Sequence, residues 1–142
     1  MVVLVVEDEA IIGYCSAAML EEAGHTVLGP AHTSSQALEL VRKHPPDVAL
    51  IDIDLEIPGA GIGVARQLRK QFGTAIVFTT GRADLAQANS DVAVLTLSKP
   101  YDPSELPGVV ELARSQRRVP SRKTPPRTAN FTGVRAHNAS GA

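Results

Sequence analysis

Residues 46–54 read Pro46-Asp47-Val48-Ala49-Leu50-Ile51-Asp52-Ile53-Asp54. Residues 48–51 form a short, continuously apolar run, which is typical of a parallel strand covered on both faces. The run ends at Asp52, and a second carboxylate follows at Asp54. Ligands of open parallel sheets bind at the carboxyl ends of the strands, so Asp52 is either a functional acid or an ordinary turn residue.

Strand and helix patterns alternate on both sides of this stretch. The predicted strands are residues 2–6, 25–28, 48–51, 75–79 and 93–97. The predicted helices are residues 10–23, 33–44, 61–72 and 105–118, with a weak helical segment at 83–89. Five strands alternating with helices predict an α/β domain with a parallel sheet and right-handed crossovers.

Some details of these elements follow from local patterns. Apolar residues at three-to-four spacing predict the buried face of the first helix: Ile11, Cys15, Ala18, Met19 and Leu20. Gly29-Pro30 is predicted to close the second strand, and Ser104 to cap the last helix.

Composition sets the class of protein. The chain has 142 residues, 44% of them hydrophobic, which is enough for one packed domain. We expect neither a membrane span nor a secretion signal, because the first apolar run is short and Glu7-Asp8-Glu9 follows it. The single cysteine, Cys15, excludes an internal disulfide framework and a Cys-rich zinc site, and it favours a cytoplasmic setting.

Charge divides the chain in two. Residues 1–114 carry 8 basic and 15 acidic residues, whereas residues 115–142 carry 6 basic residues and no acid. The acidic body argues against nucleic-acid binding by the body. Residues 1–118 are the predicted domain, and residues 119–142, which lack a periodic apolar face, are predicted to be a basic disordered tail.

Polar residues follow four of the predicted strands. They are Glu7-Asp8 after the first strand, Asp52 after the third, Thr80-Gly81 after the fourth and Lys99-Pro100 after the fifth. These ends share one edge of a parallel sheet, where carboxylates suit Mg²⁺ and a hydroxyl with an ammonium suits phosphoryl oxygens. Asp52 is then the candidate nucleophile. Each residue alone could also have an ordinary structural role, as a partner of a helix dipole, a turn residue or a solvated charge.

The motifs Val5-Val6-Glu7-Asp8-Glu9, Pro46-Asp47-Val48-Ala49-Leu50-Ile51-Asp52, Phe78-Thr79-Thr80-Gly81 and Ser98-Lys99-Pro100-Tyr101 resemble the receiver domain of bacterial two-component response regulators. The resemblance covers roughly residues 2–116. It implies a doubly wound, flavodoxin-like sheet with strand order 2-1-3-4-5. It also implies phosphorylation by a sensor histidine kinase or a histidine phosphotransfer protein.

The resemblance also assigns roles to single residues. Asp52 is the implied phosphoacceptor, at the Mg²⁺ site. Asp8 is an implied direct Mg²⁺ ligand, Glu7 acts through metal-bound water, and the backbone carbonyl of Asp54 completes the site. The residues implied to hold the phosphoryl oxygens are Thr80 and Lys99.

The sequence departs from the family pattern in three respects. Thr96 stands three residues before Lys99, where many receivers have an aromatic switch residue. The run Phe78-Thr79-Thr80-Gly81 is similar to a subset with a Phe-Ala-Thr-Gly motif and no such aromatic. The loop at residues 55–61 differs from the commonest receiver form, and no effector domain is expected after the receiver.

These observations predict a single-domain response regulator that is not an enzyme beyond its own phosphorylation and dephosphorylation. The alternatives are a degenerate receiver that acts without phosphorylation and a phosphatase like the haloacid dehalogenases, suggested by Asp52-Ile53-Asp54. A regulator that binds DNA through the basic tail is a further alternative. We also expect Arg82 and Asp54 to pair across the mouth of the site.

Overall fold

The computed structural model describes residues 1–117 and 133–137. Its strands are β1 (Val2–Val6), β2 (Thr26–Ala31), β3 (Val48–Asp52), β4 (Ala75–Thr80), β5 (Leu95–Ser98) and β6 (Val134–Ala136). Its helices are α1 (Ala10–Glu22), α2 (Ser34–Lys43), α3 (Ala60–Phe72), α4 (Ala83–Ala88) and α5 (Leu106–Arg117), with a 3₁₀ turn at Pro103–Glu105. No helix within these residues is long and apolar enough to span a membrane.

The sheet confirms the predicted fold class. The strand order is β2-β1-β3-β4-β5-β6, and neighbouring strands from β2 to β5 pair in parallel. The carboxyl ends of β1, β3, β4 and β5 therefore lie along one edge, as the polar residues after them require.

The sixth strand is a correction. Residues 119–142 were expected to lack regular structure, but β6 pairs antiparallel with β5. The polar residues around it hid this strand, because an edge strand of three residues needs no long apolar pattern. The other residues of the predicted tail lie outside the described part of the chain.

Both faces of the sheet are covered. Leu4, Ile51 and Phe78 pack on the face that carries α2 and α3, whereas Leu50 and Leu97 pack on the opposite face with α5. Successive strand residues point to opposite faces, so burial of both faces explains the continuous apolar run of β3.

The predicted buried face of α1 is wrong at Ile11, Cys15 and Ala18, whereas Met19 is half-buried and Leu20 is buried. The buried residues of α1 are Gly13, Ser16, Ala17 and Leu20, whereas Ile11 is 80% exposed and Cys15 is exposed. The helix lies close to β2: a Cβ atom at Gly13 would lie 3.0 Å from Pro30 Cβ. Close packing selects small residues, so apolar spacing alone gave the wrong face.

Two predicted element ends are also wrong. Strand β2 continues through Gly29 and Pro30, because an edge strand tolerates proline and glycine takes the positive φ of 98° there. Ser104 is not the cap that was predicted before the last helix. The Asp102 side chain accepts a hydrogen bond from Ser104 N at 2.9 Å and caps the 3₁₀ turn that precedes α5.

Candidate functional site

Asp52 lies at the carboxyl end of β3 and is 4% exposed. Both of its carboxylate oxygens have partners. Oδ1 accepts a hydrogen bond from Asp54 N at 3.0 Å, and Oδ2 accepts one from Lys99 Nζ at 2.8 Å. The carboxylate is therefore held in place at the predicted edge of the sheet.

Two further acids lie beside Asp52. One carboxylate oxygen from each of Glu7, Asp8 and Asp52 lies within 4.8 Å of the others. Glu7 and Asp52 are buried, whereas Asp8 is exposed. The strand ends of β1 and β3 thus bring together the three acids that the sequence singled out.

Lys99 bridges the two buried acids. Its Nζ donates a hydrogen bond to Glu7 Oε1 at 3.2 Å and lies 2.9 Å from Glu7 Oε2, in addition to its bond with Asp52. Burial alone would lower the pKa of Lys99, but the hydrogen bonds to Asp52 and Glu7 outweigh it and raise that pKa. The ammonium therefore remains charged inside the cluster.

Glu7 is an acid of the cluster whose ionised form is disfavoured by its surroundings. Burial raises the pKa of Glu7 from 4.5 to about 7, and the nearby charge of Asp52 adds to this against the opposing hydrogen bond from Lys99. Crowding by Asp52 thus adds to a shift whose main cause is burial.

Thr80 lies at the end of β4, next to the cluster. It is buried, and its Oγ1 accepts a hydrogen bond from Arg82 N at 2.8 Å. A hydroxyl that accepts one hydrogen bond still carries a hydrogen to donate. The backbone of Thr80 is tied to the fifth strand, because Lys99 N donates to Thr80 O at 2.8 Å.

Asp54 and Arg82 flank the cluster. Arg82 Nη1 lies 4.0 Å from Asp54 Oδ1, so the expected pairing is present. The same Asp54 oxygen accepts a hydrogen bond from Gly59 N at 2.9 Å. The Asp54 carboxylate is thus occupied by its own loop, and the metal role predicted for its backbone carbonyl stays a prediction.

Comparison with known proteins decides the family. A family model of the response regulator receiver domain matches residues 3–111. The chain belongs to the receiver domain family. This membership decides against the alternative of a phosphatase like the haloacid dehalogenases.

Curated relatives and a solved structure resemble this receiver. Transcriptional regulatory protein PdtaR of Mycobacterium tuberculosis is 34% identical over 117 residues, which cover 80% of this chain and 57% of PdtaR. Phyllosphere-induced regulator PhyR of Methylorubrum extorquens is 29% identical over 114 residues, covering 78% of this chain and 42% of PhyR. The crystal structure of the NtrX receiver domain from Brucella abortus has a TM-score of 0.72 and 25% identity, covering 80% of this chain and 98% of that one.

The receiver spans less than two thirds of the length of these two curated relatives. The likeness therefore concerns the receiver domain, which is only one part of each of these two relatives. It supports a role as a response regulator for the chain, and it leaves the identity of the output to be proposed.

The acidic cluster of this receiver fits a hard divalent cation. Its donors are carboxylate oxygens, the ligand type that Mg²⁺ prefers. Three ionised carboxylates beside one ammonium leave two negative charges uncompensated. Burial and the charge of Asp52 both disfavour the ionised form of Glu7, and a divalent cation bound at the cluster would favour that form.

Two residues, one at the receiver site and one beside β5, were missed from the sequence. A Cβ atom at Gly61 would lie 1.9 Å from Asp52 O, so only glycine allows α3 to start beside the end of β3. The imidazole of His137 is hydrogen-bonded through Nε2 to Thr96 Oγ1 on β5. The loop ending at Gly61 offered a weak signal, whereas nothing in the local pattern around His137 pointed to β5.

Proposed function

We propose that this receiver is switched by Mg²⁺-dependent phosphorylation of Asp52. The observation that carries the proposal is the Asp52 carboxylate itself, which is buried at the end of β3, bonded to Lys99 and grouped with Glu7 and Asp8. A carboxylate in this setting is a nucleophile for phosphorus, and a hydroxyl and an ammonium lie at the adjacent strand ends.

The proposed donor is a phosphohistidine side chain. One Asp52 oxygen attacks the phosphorus, a P–O bond forms, and the P–N bond to the imidazole breaks. The electron pair stays on the imidazole nitrogen, which then takes up a proton. The product is an acyl phosphate, in which the charge formerly on the carboxylate is replaced by charge on the phosphoryl oxygens.

Lys99 and Thr80 are proposed to stabilise those oxygens. Lys99 already contacts Asp52 Oδ2, so its ammonium lies beside the carboxylate that would carry the phosphoryl group. The Thr80 hydroxyl keeps a hydrogen to donate after accepting from Arg82 N. Both groups act on charge that exists only after the phosphoryl group has arrived.

The proposed Mg²⁺ ligands are Asp8, Asp52 and the backbone carbonyl of Asp54, with Glu7 acting through a metal-bound water. When bound, the cation supplies positive charge to the transferring phosphoryl oxygens. The chain itself holds the oxygen donors together. Without a cation, the burial of Glu7 and the charge of Asp52 disfavour the ionised form of Glu7 and raise its pKa.

The phosphodonor is proposed to be a sensor histidine kinase or a histidine phosphotransfer protein. Apolar side chains close to the cluster in sequence support docking of a protein donor. Ile11 is 80% exposed three residues after Asp8, and Ile57 is 63% exposed three residues after Asp54. In this proposal, a docking protein donor would cover these two side chains.

We propose that phosphorylation then alters partner binding or passes the phosphoryl group onward. The chemistry of the chain is limited, in this proposal, to gaining and losing that group on Asp52, so it is not otherwise an enzyme. The acidic body disfavours direct nucleic-acid binding, and the cytoplasmic setting stays a prediction.

Incubation with acetyl phosphate and Mg²⁺, followed by intact mass measurement, tests the proposal. The wild-type chain should gain one phosphoryl group, and it should gain none with a chelator present. Asp52→Asn should gain none, whereas Asp91→Asn, at an exposed acid paired with Arg66, should match the wild type. Equal labelling of Asp52→Asn would refute the assignment, and no labelling of the wild type would favour a degenerate receiver.

A further inference from the structure

The outer edge of β5 is covered by a segment of the chain's own C-terminal region. Strand β6 pairs with β5 through Leu95↔Ala136, Thr96↔Arg135 and Leu97↔Val134. Ser98 N donates to Gly133 O at 2.9 Å, and His137 N donates to Val94 O at 3.1 Å. Residues 133–137, named here the edge strap, therefore close the whole length of this edge.

One side chain anchors the edge strap. His137 is 9% exposed, and its Nε2 is hydrogen-bonded to Thr96 Oγ1. Burial, together with the nearby charge of Arg135, lowers the pKa of His137 and thereby favours the neutral imidazole. The contact is thus a hydrogen bond between uncharged groups in a buried place, where an unpaired Thr96 hydroxyl would be costly.

The anchor lies on the same face of the sheet as Thr80. Thr96 pairs with Phe78 in the β4–β5 ladder. Because side chains alternate along a strand, Thr80 lies on the face that carries Phe78 and Thr96. The edge strap is therefore fastened on the side of the sheet where the proposed phosphoryl-binding hydroxyl is located.

The edge strap also reaches the site through the backbone. Ser98 N is bonded to the edge strap at Gly133, and the next amide, Lys99 N, is bonded to Thr80 O at 2.8 Å. The Lys99 side chain contacts Asp52. A movement of Lys99 or Thr80 would therefore displace the Lys99 amide. The neighbouring Ser98 amide, which is hydrogen-bonded to the edge strap, would move with it.

The edge strap is lightly held. Among residues 1–117 and 133–137, its hydrogen bonds go to residues 94–98. The net gain from a hydrogen bond only slightly exceeds the entropy cost of ordering one residue, so the docked state is favoured by a small margin that coupling to the site can overcome. Edge strands held in this way are the first to open.

The connection to α5 permits both states. Residues 118–132 separate the end of α5 from the edge strap. Fifteen residues reach up to about 50 Å when extended, whereas the four residues of β5 span about 13 Å. The number of residues in the connection is therefore sufficient for residues 133–137 to lie along β5 or apart from it.

We propose that the edge strap is a reversible cover of β5 whose release is coupled to phosphorylation of Asp52. The inference rests on the proposed function and assigns a regulatory device to the same site. In the unphosphorylated state the backbone groups of the β5 edge and the Thr96 hydroxyl are satisfied within the chain. Phosphorylation exposes an edge with unpaired N–H and C=O groups, which suits an extended segment of a protein partner.

Amide hydrogen exchange of the full chain, with and without acetyl phosphate and Mg²⁺, tests this coupling. Intact mass of the same samples reports phosphorylation separately. Release predicts faster exchange of residues 133–137 and of β5 in the phosphorylated wild type, by a factor of about 5 to 150, the ordinary range of coupling between two sites. His137→Ala should show the faster exchange before phosphorylation and little further change after it.

His44→Ala is the matched control, since His44 is an exposed histidine at the end of α2, outside the edge strap, and the variant should respond as the wild type does. A wild-type sample that is phosphorylated by mass, with unchanged exchange at residues 133–137, would overturn the coupling and leave the proposed function standing. Rapid exchange of the edge strap before phosphorylation would overturn its docking. A chain that takes no phosphoryl group would overturn both proposals.

Discussion

The carboxyl edge at β1 and β3 and the outer edge at β5 differ in how they are held. At the carboxyl edge, Asp52 is fixed by a buried strand, by Lys99 and by the close approach of Gly61. At the outer edge, β6 is a three-residue strand paired with β5. The first edge is set by the packing of the whole domain, whereas the second depends on a short segment joined through a long connection.

This difference indicates that the two edges have different roles. A rigid edge keeps charged groups in the geometry that phosphoryl chemistry requires. A lightly held edge can change state at small cost, so it is suited to reporting the chemistry. The following predictions test that contrast, from the largest expected effect to the smallest.

Substitution of Gly61 should disturb the carboxyl edge most. Gly61→Ala places a Cβ atom 1.9 Å from Asp52 O, so we expect a loss of about 3 kcal/mol in the free energy of unfolding. Gly63→Ala, in the same helix with no atom within 4 Å of its Cβ, should stabilise by up to about 1 kcal/mol. His137→Ala at the outer edge should cost only about 1 kcal/mol.

Urea unfolding of the three variants and the wild type measures these differences. Equal stability of Gly61→Ala and the wild type would show that the end of β3 yields easily, and it would remove the contrast between the two edges.

Addition of Mg²⁺ should stabilise the carboxyl edge. A ligand that binds only the folded state at 100 times its Kd adds about 2.7 kcal/mol. Thermal unfolding should therefore shift upwards with millimolar Mg²⁺ in the wild type and much less in Asp8→Asn. The same shift in both proteins would place the cation elsewhere.

Stability without metal should depend on pH through Glu7. Its pKa in the folded state is raised from 4.5 to about 7, so the folded state binds the proton more tightly than the unfolded state does. The Glu7 contribution is complete below pH 4.5 and is lost as the pH rises through about 7. The Mg²⁺-induced rise in Tm should therefore grow between pH 5 and 8, and Glu7→Gln should flatten that growth. A wild-type Mg²⁺ effect independent of pH would contradict this account.

The smallest effect on stability is expected at the pair of Arg82 and Asp54. The two side chains are 49% and 34% exposed at a distance of 4.0 Å, so breaking the pair should cost about 0–1 kcal/mol. We predict instead a kinetic effect, because the pair covers the phosphorus from in-line attack by water. Arg82→Ala should shorten the lifetime of phosphorylated Asp52.

Lifetimes in Arg82→Ala, Asp54→Ala and the double variant distinguish a pair from two independent residues. Coupled effects support the pair, and additive effects leave each residue a separate role. Wild-type lifetimes in both single variants would show that the pair of Arg82 and Asp54 does not shield the phosphorus.

The sequence predicted the structure correctly where the local residue pattern matches the packing of the folded domain. The apolar run before Asp52 and the polar residues after four strands predicted the parallel sheet and the cluster, since parallel strands align their carboxyl ends, whereas the strand order came from the family resemblance. The sequence was misleading at α1, where close packing selects Gly13 and Ala17 over the larger apolar residues.

The outer edge could not be read from the sequence in the same way. The contact of His137 with Thr96 joins residues 41 positions apart, and no periodicity connects them. The clash that requires Gly61 likewise depends on how closely α3 approaches β3. Long-range contacts of this kind are set by the folded domain and leave little trace in local pattern.

The central claim, that Asp52 is the residue that carries the phosphoryl group, is tested most directly by chemical trapping. Borohydride reduces an acyl phosphate to the alcohol and thereby converts a phosphorylated aspartate into homoserine. After treatment with acetyl phosphate and Mg²⁺, peptide mass spectrometry should find homoserine at position 52 and aspartate unchanged at positions 8 and 54. Homoserine at either of those positions, or at none in a chain that has gained a phosphoryl group, would contradict the account.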